Sequence, residues 1–371
     1  MLFRLEVIMT INIGVDLHKT QFTTFARTGQ GMFGKFSTGD EGYQKFLKLI
    51  SDWQGEGHTV RLGVESTGNT RYFRNRMEKT GVEVIVINTL KFKVVNESVK
   101  KTDRHDAATI AEFLEKDMLP ESTLCSVKTE QLRRLLAVRR SLVQTKVGIK
   151  NQIHSMLVSL GMEDKKSSLQ SKRGRQKVLD ALDRAVTELV AQPLFETIDL
   201  LEQQVKKIEA ELERLTTEDR VVELLKTIPG CGPITAWTVR AGIDDIRRFA
   251  SAKKLAAYAG LVPWVQSSNE TSHYGKITKR GPEELRTALV QLVLGMVRYQ
   301  KVTARWRIME RYQMLKSTKG SGKSIVATAR KLAMMIWHML SSDQPFRPGL
   351  MLDTEIWEKA DAMRASTRNP A

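Results

Sequence analysis

Four carboxylates have the residue types and positions needed to hold divalent metal. Asp16 ends one apolar segment of the sequence, and Glu65 ends another. Asp103 and Asp106 are three residues apart at the expected start of a helix, so both project from the same face. Carboxylate oxygens are the ligands that Mg²⁺ prefers, and Mn²⁺ accepts similar ones. Two such ions can clamp the attacking and leaving oxygens of a phosphoryl transfer, so we expect a Mg²⁺ site, with Mn²⁺ as a possible substitute.

Each acid also has an ordinary structural explanation. Asp103 and Asp106 are favourable at a helix N-terminus through the helix dipole, and acids commonly end strands. For any single acid this explanation is the better one, whereas all four in one strongly basic chain favour a site. His18 and His105 stand beside the acids and can transfer protons, but a single His beside a site is more often a bystander. We therefore rank both histidines below the carboxylates.

The segment that carries the acids has the alternating pattern of an α/β domain. Carboxylates that end neighbouring strands converge at one edge of a sheet. Thr102 is a suitable N-cap for a helix from Asp103 through Phe113, because its hydroxyl can accept a backbone N–H two or three residues later. Periodicity predicts strands at residues 11–15, 21–26, 32–36, 60–64 and 82–87, and helices at 43–50 and 72–77.

Two helical segments with heptad spacing follow. One seam runs from Leu135 to Met156 at seven-residue intervals, and another runs from Ile198 to Leu215 in steps of three and four. They predict an antiparallel hairpin or a dimerising coil, and two helices of an ordinary bundle explain the periodicity equally well. The basic, Ser-rich stretch at 165–177 between them is predicted to be a loop or mobile arm.

The last third contains a Gly-rich turn at 228–233 between two segments of helical pattern. It resembles a helix-hairpin-helix, whose backbone N–H groups hold a phosphate without reading base sequence, although such turns are about as often plain connectors. Further helices are predicted at 285–299 and 325–340. The segment Gly-Ser-Gly-Lys-Ser at 320–324 lacks the first glycine and the preceding strand of a P-loop, so we expect no nucleotide binding there.

The composition narrows the class of partner. The 371 residues include 59 Lys and Arg against 42 Asp and Glu, a formal net charge of +17, which favours nucleic acid. Two distant Cys support neither a disulfide framework nor a zinc site, which fits a reducing cytoplasm. No run of about 18 apolar residues occurs, so no membrane role is indicated. We expect a cytoplasmic protein that associates with the nucleoid when it acts.

Six short motifs are spread over nearly the whole chain. Three contain the acids: Gly-Val-Asp-Leu-His-Lys at 14–19, Glu-Ser-Thr-Gly at 65–68 and Lys-Thr-Asp-Arg-His-Asp-Ala at 101–107. The other three lie in the last third, at 228–232, 257–263 and 275–281. Each motif is weak alone, but their order and separations are specific. Together they resemble the DEDD transposases of bacterial insertion sequences, to which the Piv-type DNA invertases are related.

The resemblance implies a fold and a domain order. It implies an N-terminal catalytic domain similar to RuvC and RNase H, in which the four acids bind Mg²⁺. A helical coiled coil and a mostly helical transposase domain follow in the family. The expected bounds are 1–125 for the RuvC-like domain, 126–220 for the coiled coil with a basic linker at 163–178, 221–345 for the transposase domain and 346–371 for a C-terminal tail.

A serine in the transposase domain is the implied nucleophile. In the family it follows a Gly-Leu-x-Pro motif, usually as Ser-Gly, and becomes covalently joined to DNA; counting from Pro263 gives Ser268. This chain has Ser-Ser-Asn instead, so Ser267 stays an alternative. A phosphoserine ester would conserve the phosphodiester energy for rejoining, whereas hydrolysis would discard it. Without the surrounding motif, a turn or cap would explain a loop Ser beside Asn better.

The resemblance also implies partners. DNA serves as donor and target, and a structured guide, or bridge, RNA pairs with both. A coil between the domains favours a homo-oligomer, a dimer or tetramer with shared active sites. An RNA-independent DNA invertase, a RuvC-like metal-dependent nuclease and a non-catalytic nucleic-acid-binding protein remain alternatives. The residues expected to contact nucleic acid are Lys19, Lys101, Arg104, Gly230, Gly232, Lys276, Lys279, Arg280, Lys319 and Lys323.

Overall fold

The computed structural model describes residues 8–95, 102–161, 169, 171–268, 271–303 and 305–347. The chain divides into two compact units, residues 1–124 and residues 125–371. The first unit is an α/β sheet domain and the second is mostly helical, as the sequence predicts. In the described part of the chain, no helix is long and apolar enough to span a membrane.

A mixed five-stranded sheet forms the centre of the first unit. Its strands are β1 (Thr10–Leu17), β2 (Gln21–Arg27), β3 (Met32–Ser37), β4 (Thr59–Glu65) and β5 (Glu83–Ile87). The spatial order is β3-β2-β1-β4-β5, with β2 antiparallel to β1 and β3, and with β4 parallel to β1 and β5. The five predicted strands are confirmed. This order is consistent with the RNase H-like fold, and it brings the carboxyl ends of β1 and β4 together.

Four helices accompany the sheet. The predicted helices at 43–50, 72–77 and 103–113 are confirmed within longer ones. A further short helix is not predicted, because its sequence alternates apolar and basic residues with the period of a strand. The four are α1 (Asp40–Gly55), α2 (Thr70–Glu78), α3 (Thr89–Val95) and α4 (Asp103–Glu115).

The central strand β1 divides its side chains between two layers. Alternate residues of a strand point to opposite faces of the sheet. On one face Ile11, Ile13, Val15 and Leu17 are buried in an apolar core with rings from β2, α1 and α2, among them Phe22, Tyr43, Phe46 and Phe73. The other face of β1, which carries Gly14 and Asp16, packs against α4.

The described residues of the second unit contain eleven α-helices and one β-hairpin. The predicted long helix, the second heptad helix and the helices at 285–299 and 325–340 are confirmed, whereas the hairpin is not predicted. The elements are α5 (Val127–Ser159), α6 (Lys172–Ala181), α7 (Arg184–Val186), α8 (Gln192–Leu215), α9 (Arg220–Lys226), α10 (Pro233–Ile243), α11 (Ala252–Tyr258), β6 (Pro263–Ser268), β7 (Thr271–Ile277), α12 (Glu283–Arg298), α13 (Gln300–Thr303), α14 (Arg307–Lys319) and α15 (Ser321–Ser341).

Helices α5 and α8 pack side by side in antiparallel directions. Arg139 Nε lies 2.7 Å from Glu209, and Lys146 Nζ lies 3.4 Å from Glu202, so positions further along α5 meet positions earlier in α8. Beyond these ion pairs, Ile153 and Ile198 share a buried cluster. Of the arrangements that the heptad spacing allowed, the structure of this chain has the antiparallel pair.

The prediction of a loop over the basic, Ser-rich stretch is wrong for its second part. Helix α6 begins at Lys172, and the hydroxyl of Ser171 caps it by accepting the N–H of Gly174. Val178 of this helix is buried in the same cluster as Leu157 and Phe195. The helix is stabilised by a tertiary contact that composition does not reveal. The rest of the stretch, 165–168 and 170, lies outside the described residues.

A buried ion pair joins the start of α5 to the rest of the helical unit. Arg240 Nε donates to Asp219 at 3.0 Å, and both side chains are almost fully buried, at 12% and 6% exposure. Arg240 also donates to the hydroxyl of Thr129 on α5, and Lys128 lies 3.2 Å from Asp219. Two polar residues of α5 therefore contact the same carboxylate and guanidinium that join α9 to α10.

The Gly-rich turn connects α9 to α10. Gly230 has a φ of +84°, and a Cβ there would lie 3.2 Å from the backbone of Gly295 on α12, so two glycines allow the turn to pack closely on that helix. Gly232 precedes α10 as its N-cap, and nothing lies within 4 Å of the position that its Cβ would take.

Candidate functional site

The candidate site lies where β1 ends and α4 begins. His18 Nε2 lies 3.0 Å from Asp16 Oδ2 and 3.6 Å from Asp103 Oδ1. One ligand atom from each of these three residues lies within 4.8 Å of the other two. Asp16 is mostly buried, at 14% side-chain exposure, whereas His18 and Asp103 are about half exposed. Two acids that are distant in sequence are thus brought together around an imidazole.

Two glycines set the distance between α4 and the sheet. A Cβ on Gly14 would lie 2.0 Å from the carbonyl oxygen of Ala107 and 2.5 Å from the backbone nitrogen of Ala111. A Cβ on Gly63 of β4 would lie 2.9 Å from the side chain of Ile110. Because neither strand carries a side chain there, α4 lies directly on β1 and β4. That packing brings the first turn of α4 to the carboxyl end of β1.

The N-terminus of α4 forms as the sequence predicts. Thr102 is in an extended conformation, and its side chain accepts the N–H of His105 at 3.2 Å. Asp103 and Asp106 lie in the first turn, where negative charge is favourable. The cap fixes where the helix begins, and so fixes the position of both acids.

The loops that follow β1 and β4 are tied together by hydrogen bonds. The side-chain amide of Asn69 donates to the carbonyl oxygen of His18 at 2.9 Å. The hydroxyl of Thr70 donates to the carbonyl oxygen of Glu65 at 2.7 Å, and the N–H of Thr67 donates to that hydroxyl. The Glu-Ser-Thr-Gly motif therefore leads into a turn that holds the loop bearing His18.

The electrostatics of the site disfavour negative charge on Asp16. Burial raises the pKa of this carboxyl above its ordinary value of 3.8, and the neighbouring charges of Asp103 and Asp106 raise it further, against a lowering contribution from His18. The folded protein thus maintains a carboxylate in an unfavourable environment that a bound cation would neutralise. This donor set, with its crowded carboxylate oxygens and an imidazole, fits a divalent metal.

The other two predicted acids lie beside this cluster. Glu65 is the last residue of β4, and its preceding residue Val64 pairs with Val15, which precedes Asp16. Asp106 acts on Asp16 through its charge. His18 lies between Asp16 and Asp103 and is thus part of the cluster, although the sequence favoured a bystander. A signal was present, since His18 is two residues after Asp16, but only the packing of α4 brings Asp103 to it.

In the second unit, two motifs that are separate in sequence meet. The N–H of Thr278 donates to the carbonyl of Val262 at 2.9 Å, and the N–H of Lys279 donates to the carbonyl of Gly260 at 3.2 Å. Gly281 has a φ of +98°, and a Cβ there would lie 1.8 Å from the carbonyl oxygen of Tyr258. These contacts hold the base of the β6–β7 hairpin.

Ser267 and Ser268 are the last two residues of β6. Their backbones pair with those of Ser272 and Thr271 on β7, so both serines lie toward the turn end of the hairpin. The candidate nucleophiles are thus in a strand, where the sequence analysis considered a loop.

The basic residues predicted to contact nucleic acid have varied surroundings. Lys19, Lys276, Lys279, Arg280, Lys319 and Lys323 are exposed. Arg104 lies over the ring of Phe33 on β3, with its Cζ 3.8 Å from the ring centroid, so its guanidinium has a structural contact within the first unit. Lys101 lies outside the described residues.

Comparison with known proteins gives matches over both units. A family model of DEDD transposases of the IS110 type matches residues 13–162, and the model of the transposase IS116/IS110/IS902 family matches residues 222–309. A probable family 20 transposase of Pseudomonas aeruginosa is 28% identical over 302 residues, which cover 78% of this chain and 86% of the relative. The transposase for insertion sequence element IS1111A of Coxiella burnetii is 25% identical over 77% of this chain and 79% of its own length.

A relative with a different name matches over a longer span. The pilin gene-inverting protein of Moraxella bovis is 25% identical over 344 residues, which cover 90% of this chain and 97% of that protein. The two family models together cover more than half of this chain and include all four acids and both serines. The chain therefore belongs to the IS110-type family of DEDD transposases.

Proposed function

We propose that this transposase cleaves and rejoins DNA through a covalent phosphoserine, with Asp16, Glu65, Asp103 and Asp106 holding Mg²⁺. The observation that carries the proposal is the position of Asp16, which is mostly buried beside Asp103 and has a raised pKa. A carboxylate kept in such surroundings is typical of a metal or catalytic site rather than of an acid that merely ends a strand. When bound, Mg²⁺ supplies positive charge to the reacting phosphate oxygens.

In the proposed reaction, a serine of the chain exchanges places with DNA hydroxyls at the phosphorus. The Oγ of Ser268, with Ser267 as the alternative, attacks the phosphorus of a DNA phosphodiester; the bond to one DNA oxygen breaks, and that oxygen leaves as a hydroxyl. Attack of a second DNA hydroxyl on the phosphoserine restores the serine and forms the new phosphodiester. The number of ester bonds is constant, so rejoining requires no nucleotide cofactor.

The helical unit supports binding of the nucleic acid backbone. The α5–α8 pair serves as the predicted coiled coil. The turn before α10 serves as a helix-hairpin-helix, in which Gly232 leaves the helix N-terminus open to a phosphate.

We propose that DNA is donor and target, that a bridge RNA guides their pairing, and that a dimer or tetramer shares active sites between copies. For the domains we propose the bounds expected from the sequence, 1–125, 126–220, 221–345 and 346–371.

Covalent trapping tests the reaction. A plasmid that carries the gene with its flanking DNA is cut in cells, the protein is denatured, and DNA that remains attached to it is measured. We expect attachment by the unaltered chain, none by Asp16→Asn or Ser268→Ala, and retained attachment by Ser267→Ala. Nicked plasmid without attached DNA would instead indicate a metal-dependent nuclease. Attachment of DNA to Ser268→Ala but not to Ser267→Ala would assign the nucleophile to Ser267.

Two further experiments test the partners. Mixing Ser268→Ala chains with Asp16→Asn chains restores activity if the sites are shared, and fails to do so if each site belongs to one chain. RNA that copurifies with the protein is sequenced and compared with the flanking DNA. Absence of complementary RNA from an active preparation would favour a guide-independent invertase, the second candidate. DNA inversion is supported by the match to 97% of the pilin gene-inverting protein.

A further inference from the structure

Trp264 on β6 is the exposed tryptophan of the described residues. The residue is 51% exposed, whereas the other described tryptophans are buried or partly buried. Trp is usually well buried, because it has the largest apolar surface of any side chain. Trp264 belongs to none of the buried apolar clusters of the described residues, so its indole is available to a ligand or a partner.

The hairpin holds this ring in place. Pro263 pairs with Ile277 and Val265 pairs with Tyr274, so the single residue Trp264 lies opposite two residues, Gly275 and Lys276. This two-to-one arrangement is a β-bulge, which changes the direction of side chains and is common beside active sites. A Cβ on Gly275 would lie 2.9 Å from Cε3 of the indole, so the ring lies across the bare backbone of β7. Part of the ring is thus covered by β7, while about half of the surface of Trp264 stays exposed.

The surroundings of the ring are basic. Lys276 lies in the bulge opposite Trp264, and Lys279 and Arg280 follow β7; all three are exposed. Between Glu270 and Glu283 the sequence contains no acid. A flat aromatic surface flanked by cations fits a chain that has flat bases and a phosphate backbone. A second copy of this chain, with its own net charge of +17, is a poorer match by charge.

We propose that Trp264 stacks against an unpaired base of the DNA strand that the hairpin holds, with Lys276 on the adjacent phosphate. The identity of that strand rests on the proposed function, because Ser268 is four residues further along β6, on the order of 13 Å at the rise of a strand. A base held at this distance fixes the path of the strand toward the serines. Strand exchange requires bases to leave their original partners, and stacking on an aromatic side chain compensates for the lost base stacking.

Binding of a single-stranded DNA oligonucleotide of mixed sequence to the full chain, at several salt concentrations, tests the inference. Trp264→Leu keeps an apolar side chain but removes the ring, and we expect affinity to fall by about 5- to 150-fold with an unchanged salt dependence. Trp264→Phe retains an aromatic face and most of the affinity. Lys276→Gln lowers affinity and also reduces the slope of log affinity against log salt by about one.

Two controls separate stacking from a structural effect. Val265→Ala removes an exposed apolar neighbour that has no place in the stack, and we expect unchanged binding. An oligonucleotide with abasic sites throughout binds the unaltered chain and Trp264→Leu equally, because no base is present to stack. A thermal melt of each variant shows that the hairpin change leaves the fold intact.

Several outcomes would overturn the inference. Trp264→Leu could bind DNA as the unaltered chain does, or its defect could persist on the abasic strand; either result excludes base stacking. Loss of self-association in Trp264→Leu with unchanged DNA binding would make the ring a contact between copies. Failure of covalent trapping in the unaltered chain would contradict the phosphoserine, while the binding comparison for Trp264 would still stand or fall by itself.

Discussion

Gly14 of β1 lies directly against Ala107 of α4, so closely that a Cβ on Gly14 would be 2.0 Å from the carbonyl oxygen of Ala107. The obstacle is backbone, which cannot rotate away as a side chain does. Since α4 carries Asp103 and Asp106, the absence of a side chain at Gly14 determines whether those acids reach Asp16. The proposed metal site therefore depends on a residue that has no functional group.

Replacing Gly14 by Ala tests this dependence. We expect Gly14→Ala to displace α4, to abolish DNA cleavage and to cost at least the ~1–3 kcal/mol typical of an overpacked core. The change in free energy corresponds to a fall in Tm of roughly 5 °C or more. Cleavage of the plasmid with flanking DNA and a thermal melt measure both effects.

Gly29→Ala is the matched control, because nothing lies within 4 Å of its added Cβ. We expect it to keep the activity and stability of the unaltered chain. If Gly14→Ala retained full activity, the close packing of α4 on β1 would be irrelevant to the site.

The raised pKa of Asp16 predicts that the site lowers stability in the absence of metal. Burial, followed by the charges of Asp103 and Asp106, disfavours the ionised form, so the folded state binds a proton more readily than the unfolded state. The penalty is present above the folded-state pKa and disappears as pH falls below the ordinary value of 3.8. In the presence of EDTA, Asp16→Asn should therefore melt a few degrees higher than the unaltered chain at pH 7.5, with the difference shrinking toward pH 4.

Addition of Mg²⁺ should reverse this order. Binding to the folded state raises the Tm of the unaltered chain, and it leaves Asp16→Asn nearly unaffected because a ligand is lost. Equal melting temperatures for the two chains at every pH, with and without Mg²⁺, would show that Asp16 is an ordinary surface carboxylate.

His18 is expected to contribute to metal affinity. It lies 3.0 Å from Asp16 and 3.6 Å from Asp103, close enough to bind the ion or to orient its ligands. Loss of such a group typically weakens metal binding by about 10- to 100-fold. Titration of Mn²⁺ by calorimetry should show this loss for His18→Ala. His105→Ala is the comparison, since His105 lies beside the same acids but outside the cluster of three; an equal loss in both variants would remove the special position of His18.

The sequence predicts those parts of the site that depend on residues close together in the chain, and it does not predict the parts that depend on tertiary packing. Strands β1 and β4 and the cap at Thr102 depend on local patterns, so the sequence predicts that Asp16 and Glu65 end neighbouring strands and that a helix begins at Asp103. The approach of Asp103 to Asp16 and His18 depends on how closely Gly14 lets α4 pack on β1, which no local pattern reports. Helix α6 forms because Val178 finds a buried position beside Phe195. The bulge opposite Trp264 depends on the pairing of two strands that the sequence analysis did not predict.

The buried ion pair at the start of α5 predicts a defined dependence of stability on pH. Burial alone would raise the pKa of Asp219, but Arg240 and Lys128 lower it below its ordinary value of 3.8. The stabilisation is thus fully present above pH 3.8 and is lost as pH falls through the lower, folded-state pKa. Asp219→Asn retains a side-chain oxygen that can cap α9 as Asp219 does, so the change removes mainly the charge. Because Arg240 is only 12% exposed, we expect the free energy of unfolding to fall by about 3–5 kcal/mol. This is the usual cost of leaving one partner of a buried ion pair without the opposite charge.

Urea unfolding at pH 7 and at pH 3 measures this loss. The difference in the free energy of unfolding between Asp219→Asn and the unaltered chain should be large at pH 7 and smaller at pH 3. Asp245→Asn is the matched control, because Asp245 pairs with Arg247 in solvent and such exposed pairs contribute little. Its substitution should change the free energy of unfolding by less than about 1 kcal/mol. Equal effects of the two substitutions at pH 7 would show that burial gives the Asp219–Arg240 pair no special weight, and that α5 is held at its start by apolar packing instead.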